Sequence, residues 1–122
     1  MKAAAVFLSL ATLAACTDSS GPSENVDGVW VASEQSFSVT LELTQRGDSV
    51  TGSGASFAFV TSSASNFAIA GSYSKPHLAL AFRQDTTVLA QFTATVAADG
   101  KSMNGVETFS GGADTLSFVR QP

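Results

Sequence analysis

A two-residue alternation of apolar and polar side chains is the feature that most constrains the fold of this chain. Its clearest instance runs over residues 37–45, where Phe37, Val39, Leu41 and Leu43 alternate with Ser38, Thr40, Glu42 and Thr44. Because successive side chains of a β-strand point to opposite faces, the segment predicts a strand with one buried face and one solvated face. After Gly28 no stretch of 11 residues keeps the period of a helix. We therefore predict an all-β domain.

Turn-forming residues divide this domain at regular intervals. They separate eight predicted strands, at residues 28–34, 37–46, 49–59, 66–74, 77–84, 88–97, 101–110 and 114–120. Every connection is short enough for a hairpin, which makes neighbouring strands antiparallel. Closing the strands into a barrel buries their shared apolar face and removes the sheet edges. The sequence predicts an eight-stranded antiparallel up-and-down (meander) β-barrel over residues 26–122.

Alternation also predicts which side chains fill the barrel. The large inward side chains are expected to be Trp30, Phe37, Val39, Leu41, Leu43, Val50, Phe67, Ile69, Tyr73, Leu78, Leu80, Phe82, Val88, Phe92, Val96, Met103, Phe109, Leu116 and Phe118. Small inward residues are expected to leave volume between them, at Gly52, Gly71, Ala90, Ala94 and Gly105. Because such a barrel is just wide enough to be filled by side chains or to hold one small ligand, two hypotheses stand. One is a pocket away from Trp30; the other is a solid core whose outer surface makes the interactions.

The N-terminus carries an export pattern. Met1 and Lys2 precede an apolar run over residues 3–15, which is too short to span a bilayer and predicts a signal peptide at residues 1–15. The run ends in Leu13-Ala14-Ala15-Cys16, which resembles the lipobox of bacterial lipoproteins. The resemblance implies that Cys16 becomes the N-terminus and carries diacylglycerol. An ordinary signal peptide followed by a coincidental cysteine is the alternative.

A polar stretch follows the cysteine. Residues 16–25 show no periodicity, as expected of a flexible linker between a lipid anchor and a folded domain. In enteric bacteria an Asp directly after the lipidated cysteine favours the inner membrane, and here Thr17 holds that position. We expect an outer-membrane lipoprotein of the cell envelope that faces the periplasm or the cell surface, with the inner membrane as the alternative.

Composition excludes several classes of function. Without the predicted signal peptide, five basic residues stand singly against ten acidic ones, a net charge of −5 that offers no stripe for nucleic acid. One His and one Cys cannot build a His/Cys metal cluster, a Cys/His catalytic pair or a disulfide within one chain. We expect no catalytic residues, no metal and no cofactor, and so no enzyme.

The first and last strands carry a resemblance to a known family. Gly28-Val29-Trp30 opens the first strand and Arg120 closes the last. This combination resembles the calycin superfamily of lipocalins, fatty-acid-binding proteins and avidins. The resemblance implies that Trp30 plugs one barrel end while Arg120 packs over its ring; ordinary core packing of Trp30 is the alternative. The chain lacks the Thr-Asp-Tyr motif of lipocalins and the several tryptophans with which avidins hold biotin.

One set of residues is predicted to contact a ligand: Tyr73, Phe82, Phe92, Ala94, Glu107, Phe109 and Phe118. Alternation from Met103 and Gly105 points Glu107 inward, where Arg120 or Tyr73 could partner it. A bulge at Gly105 would instead turn Val106 inward and Glu107 to solvent. The same ambiguity affects Phe57 and Phe59, which point outward unless a bulge near Gly54 turns them in.

The outer wall suggests a further contact. The hairpin about Lys75-Pro76 brings Ala68, Ala70, Ala79 and Ala81 together on the outside, a flat uncharged surface that favours self-association. The sequence thus predicts a membrane-anchored lipoprotein whose barrel binds a small apolar or amphipathic ligand. The alternative is a protein–protein interaction module, such as an inhibitor or envelope scaffold, with a filled core.

Overall fold

A computed structural model describes residues 25–122 and consists of eight strands. They are β1 (Gly28–Ser33), β2 (Phe37–Arg46), β3 (Ser49–Ala58), β4 (Ser63–Ser74), β5 (His77–Gln84), β6 (Thr87–Val96), β7 (Ser102–Phe109) and β8 (Gly112–Arg120). The predicted signal peptide, the lipidated Cys16 and the linker before residue 25 lie outside the described residues. Within the described part of the chain, no helix has the length and apolar character needed to cross a membrane.

The strands form a closed antiparallel barrel in which each strand pairs with the next along the chain. The first and last strands complete the circle through the pairs Trp30–Arg120 and Val31–Val119. This topology confirms the predicted meander barrel. Closure leaves no unpaired edge strand in the sheet.

The two ends of the barrel differ in what covers them. At the end that we call the closed end, β1 begins, β8 ends, and connections join β2 to β3, β4 to β5 and β6 to β7. Gly47 and Gly100, in connections at this end, adopt φ angles of +60° and +72°, which favour glycine. At the opposite end, which we call the open end, short turns join β1 to β2, β3 to β4, β5 to β6 and β7 to β8.

The core follows the predicted alternation closely. Of the large side chains predicted inside, all are buried except Phe37 and Phe67, which pack against the core while partly exposed, and Val88 and Phe109, which are more exposed. Among the described residues, the buried core side chains are aliphatic or aromatic, together with Met103. The buried face therefore lies where a period of two places it.

Val88 is an exception with a clear cause. Along β5 and β6 the pairing shifts between Phe82–Ala90 and Arg83–Val88, which leaves Leu89 as an extra residue on β6. A bulge of this kind reverses the alternation beyond it, so Val88 is 42% exposed and its predicted inward position is wrong. The predicted start of the fourth strand also shifts, because β4 already begins at Ser63.

The inward glycines do not supply the volume expected of them. A Cβ at Gly52, Gly71 or Gly105 would overlap the backbone carbonyl of Glu42, Ala79 or Thr93 on the neighbouring strand. At these positions the absence of a side chain lets two neighbouring strands approach closely, and their backbone occupies the space. Open volume in the barrel has to come from elsewhere.

Candidate functional site

The closed end is sealed by the tryptophan and arginine that the sequence singles out. The Trp30 ring is fully buried, and its Nε1 donates a hydrogen bond of 3.0 Å to the Val26 carbonyl oxygen. The Arg120 guanidinium carbon lies 4.7 Å from the centroid of this ring. Arg120 Nη2 also donates to the Asn25 carbonyl oxygen at 2.5 Å. The chain that enters β1 is thus tied across the barrel floor by a stacked cation and two hydrogen bonds.

The open end contains a cavity. It has a volume of about 530 Å³ and opens to solvent at the mouth of the barrel. Most of its wall is apolar, from aromatic rings and small or branched side chains, with hydroxyl groups and two carboxyl groups among them. The lining residues are Ser36, Phe37, Val39, Ser56, Phe57, Ala58, Val60, Thr61, Ser65, Phe67, Phe82, Leu89, Ala90, Glu107, Phe109 and Asp114. This size and this balance of apolar and polar groups are typical of small-molecule sites.

A series of neighbouring aromatic rings forms the boundary between the cavity and the packed core. The centroids of Phe67 and Phe82 lie 4.6 Å apart at the cavity base. Phe82 is followed by Phe92 at 6.3 Å and Phe92 by Phe118 at 5.3 Å, both fully buried below. A Cβ at Gly54 would overlap the Phe67 ring, so this glycine lets the ring lean over β3. The base of the cavity is therefore a rigid aromatic surface.

Glu107 points into this cavity and faces another acid. It pairs across the sheet with Asp114 on one side and with Phe92 on the other, while Val106 is 43% exposed on the outer face. The bulge proposed at Gly105 is therefore absent. Burial raises the pKa of the Glu107 carboxyl above its ordinary value of 4.5, and the nearby Asp114 carboxylate raises it further.

The two partners suggested for Glu107 lie elsewhere. Arg120 stacks on Trp30 at the closed end. Tyr73 is buried at the same end, where its backbone amide donates to the Asp48 carbonyl oxygen. Sequence reasoning placed these groups together because alternation fixes the face of a residue and not its height along the barrel axis.

Large apolar side chains surround the mouth of the cavity. Phe57 and Phe59, with ring centroids 5.7 Å apart, are 40% and 48% exposed, and Val60 in the following turn is 86% exposed. The pairing of β2 with β3 runs without a shift, so no bulge near Gly54 turns Phe57 inward. The rim of the open end is thus apolar toward solvent.

The residues predicted to contact a ligand separate into two groups. Phe82, Glu107 and Phe109 line the open-end cavity. The other four, Tyr73, Phe92, Ala94 and Phe118, are buried in the core outside it.

Sequence reasoning missed several lining residues, including Phe37, Phe67, Ala90 and Asp114. Asp114 had a usable signal, because a tight hairpin about Gly111 places it opposite Glu107. The other three are predicted to point inward, and they differ from the inward residues of the core only in lying near the open end.

The alanine surface lies where the sequence predicts it. Ala68, Ala70 and Ala79 are exposed on the outside of the barrel, and Ala81 is partly exposed. In the register of β4 and β5, Ala70 faces Ala81, while Ala68 faces Arg83. Self-association through this surface stays a prediction.

Residues 25–122 contain no group of three or more His, Cys, Asp or Glu side chains arranged to hold a metal ion. No protein-family model, no curated protein and no solved structure matches the chain significantly. The barrel and its cavity are therefore the features from which a function can be inferred.

Proposed function

We propose that this chain is a bacterial lipoprotein whose calycin-like barrel binds one small apolar or amphipathic molecule in the open-end cavity. The observation that carries the proposal is the cavity itself, about 530 Å³ with walls of Phe37, Phe67, Phe82 and Phe109. An apolar occupant is favoured by such walls, because its binding removes the apolar surface of the phenylalanine rings from water. The sealed floor at Trp30 and Arg120 supports the calycin-like assignment.

Ligand binding can be tested with an uncharged fluorescent probe. Native mass spectrometry of the purified protein is expected to reveal a bound small molecule, and N-phenyl-1-naphthylamine is expected to gain fluorescence in the delipidated protein. Ala90 lines the cavity and is 7% exposed, so the ring of Ala90→Phe would enter the space of the ligand. This variant should fold and lose probe binding. No bound molecule and no probe binding by the wild type would refute the ligand-binding proposal.

Anchoring is the second part of the proposal and rests on the sequence. Cys16 follows a short apolar segment and two small residues, as lipid attachment requires. In bacteria, the wild type should incorporate labelled palmitate and sediment with outer membranes, and Cys16→Ser should do neither. A Cys16→Ser protein that stays in the membrane fraction, with an unlabelled wild type, would contradict anchoring while leaving the barrel proposal intact.

A second candidate is an interaction module that contacts another protein through the mouth of the barrel. The observation that favours it is the apolar rim of Phe57, Phe59 and Val60, because large exposed apolar side chains in one place mark interaction surfaces. Phe59 is the rim residue that does not line the cavity, so Phe59→Ser changes the apolar rim and leaves the cavity lining as it is. Loss of a bound protein with retained probe binding would favour the interaction module as an additional role.

A further inference from the structure

The open-end cavity has a strong bias of charge. Its two ionisable side chains are both acids, Glu107 on β7 and Asp114 on β8, directly opposite each other in the register. None of the described residues that line the cavity is basic. A ligand that enters it therefore meets two carboxyl groups that no cavity-lining cation neutralises.

The basic residues of the barrel lie away from this cavity. Arg46, Lys75, Lys101 and Arg120 are all in strand ends or connections at the closed end. Arg83, on the open half of β5, is exposed on the outer surface opposite Ala68. Four of these five basic residues thus lie at the opposite end of the barrel from the cavity, and Arg83 lies on the other side of the barrel wall.

The walls around the two acids suit a cation as well as an apolar body. Phe37, Phe67, Phe82 and Phe109 surround the space, and the faces of aromatic rings attract positive charge. Burial and the proximity of Asp114 hold the Glu107 pKa above its ordinary value, because negative charge is disfavoured at this place. An anionic ligand group would add to this unfavourable negative charge, and a cationic ligand group would offset it.

We infer that the cavity takes an amphipathic cation, whose apolar body lies on the phenylalanine walls and whose ammonium group sits between Glu107 and Asp114. This inference rests on the proposed ligand-binding function and narrows it to one class of ligand. A fatty acid, with the opposite charge at its head, is a poor occupant.

Three probes with one chain length test the inference. Decyltrimethylammonium, decanol and decanoate carry head groups of charge +1, 0 and −1, and each can be titrated calorimetrically at pH 7, the two ions below their critical micelle concentrations and decanol below its solubility limit. The cation is expected to bind about tenfold tighter than decanol or more, a difference of about 1.4 kcal/mol or more, because its charge is attracted by two carboxylates and by the faces of aromatic rings in a partly dry site. Decanoate is expected to bind weakest.

Matched variants assign the effect to the two acids. Glu107→Gln and Asp114→Asn keep the side-chain shape and remove one charge, and each should weaken binding of the cation about tenfold without changing that of decanol. Glu42→Gln, on the exposed outer face of β2, is the control and should bind all three probes as the wild type does. Thermal melts establish that each variant is folded.

The pH dependence gives a readout that a structural role would not produce. The charge of decyltrimethylammonium does not titrate, so a change in its affinity with pH reports titrating groups of the protein, and Glu107→Gln assigns the part that belongs to this carboxyl group. The groups that face Glu107 are Asp114 from β8 and the apolar Phe92 from β6. Affinity should rise from pH 4 through the raised pKa of Glu107 toward pH 7, and Glu107→Gln should flatten this rise.

The outcomes separate the inference from the proposed function. Equal affinity for decanol and the cation, or an unchanged cation affinity in both Glu107→Gln and Asp114→Asn, would overturn the inference while ligand binding stands. Absence of binding by all three probes would overturn both.

Discussion

Inward-facing residues of the same sheet pack into a solid core at one end of the barrel and line a cavity at the other. At the closed end, Trp30, Leu116 and Phe118 are fully buried, and Val26 packs into the core from outside the strands. At the open end, Phe37 and Phe67 are only partly buried, and Glu107 faces Asp114 across a cavity of about 530 Å³. The difference shows that eight strands alone leave this barrel open, and that one end is sealed by an indole, a guanidinium and the chain before β1.

The largest expected effect breaks the closed end. Trp30→Ala removes a fully buried indole and its hydrogen bond to Val26, and should lower the free energy of unfolding by about 3–5 kcal/mol. Phe37→Ala at the open end, where the ring borders solvent, should cost distinctly less. Urea denaturation of both variants measures the contrast, and equal losses would show that the two ends are packed alike.

The next prediction sharpens the comparison with one substitution made at two heights on β6. Ala94 is 7% exposed, lies outside the open-end cavity, and pairs with Gly105, whose backbone approaches it so closely that a Cβ there would come within 2.7 Å of the Ala94 Cβ. Ala94→Phe should therefore destabilise the barrel by about 1–3 kcal/mol.

Ala90, four residues earlier on the same face, borders the cavity. Ala90→Phe should leave the midpoint of thermal unfolding unchanged or raise it, because the ring finds open space. Melting curves of the two variants compare them directly. A large loss at Ala90 would mean that the cavity cannot admit a ring.

A third prediction concerns the cation that covers the floor. Arg120→Ala removes the stacking on Trp30 and the hydrogen bond to Asn25, and should lower stability by about 1–2 kcal/mol. Arg120→Lys keeps the charge without the planar group and should recover only part of this loss. Full recovery by lysine in denaturant titrations would show that charge alone, without stacking, holds the floor.

Much of the fold was predictable from the sequence because a barrel repeats one local rule. The alternation of Phe37, Val39, Leu41 and Leu43 lies within the single strand β2, and the short turns determine which strands pair with each other. The contact of Trp30 with Arg120 follows from closure, since the first and last strands must then lie side by side.

The site was less predictable because it depends on relations between strands. The extra residue Leu89 is visible only in the pairing of β5 with β6, and it moves Val88 away from its expected face. The sequence predicts open volume beside the inward glycines Gly52 and Gly71, yet the backbones of neighbouring strands fill that space. Which inward residues border the cavity depends on strand height, which the period of two does not contain.

The smallest expected effect concerns the acid that the open end leaves in a partly dry site. Burial, together with Asp114, raises the folded-state pKa of Glu107 above 4.5, so between that ordinary value and the raised one the folded barrel binds more protons than the unfolded chain. Stability from this group is therefore present below about pH 4.5 and is lost as the pH rises through the raised pKa. Glu107→Gln, which cannot ionise, should be as stable as the wild type near pH 4 and more stable at pH 7. The gain should stay below about 1 kcal/mol, because the carboxyl is only half-buried and solvent screens it. Denaturant titrations from pH 4 to pH 8 measure the difference, with Glu42→Gln on the outer face as the control. A wild type that is more stable than Glu107→Gln at pH 7, with the two alike near pH 4, would mean that the folded barrel favours the charged form of Glu107 and that its pKa is lowered, not raised.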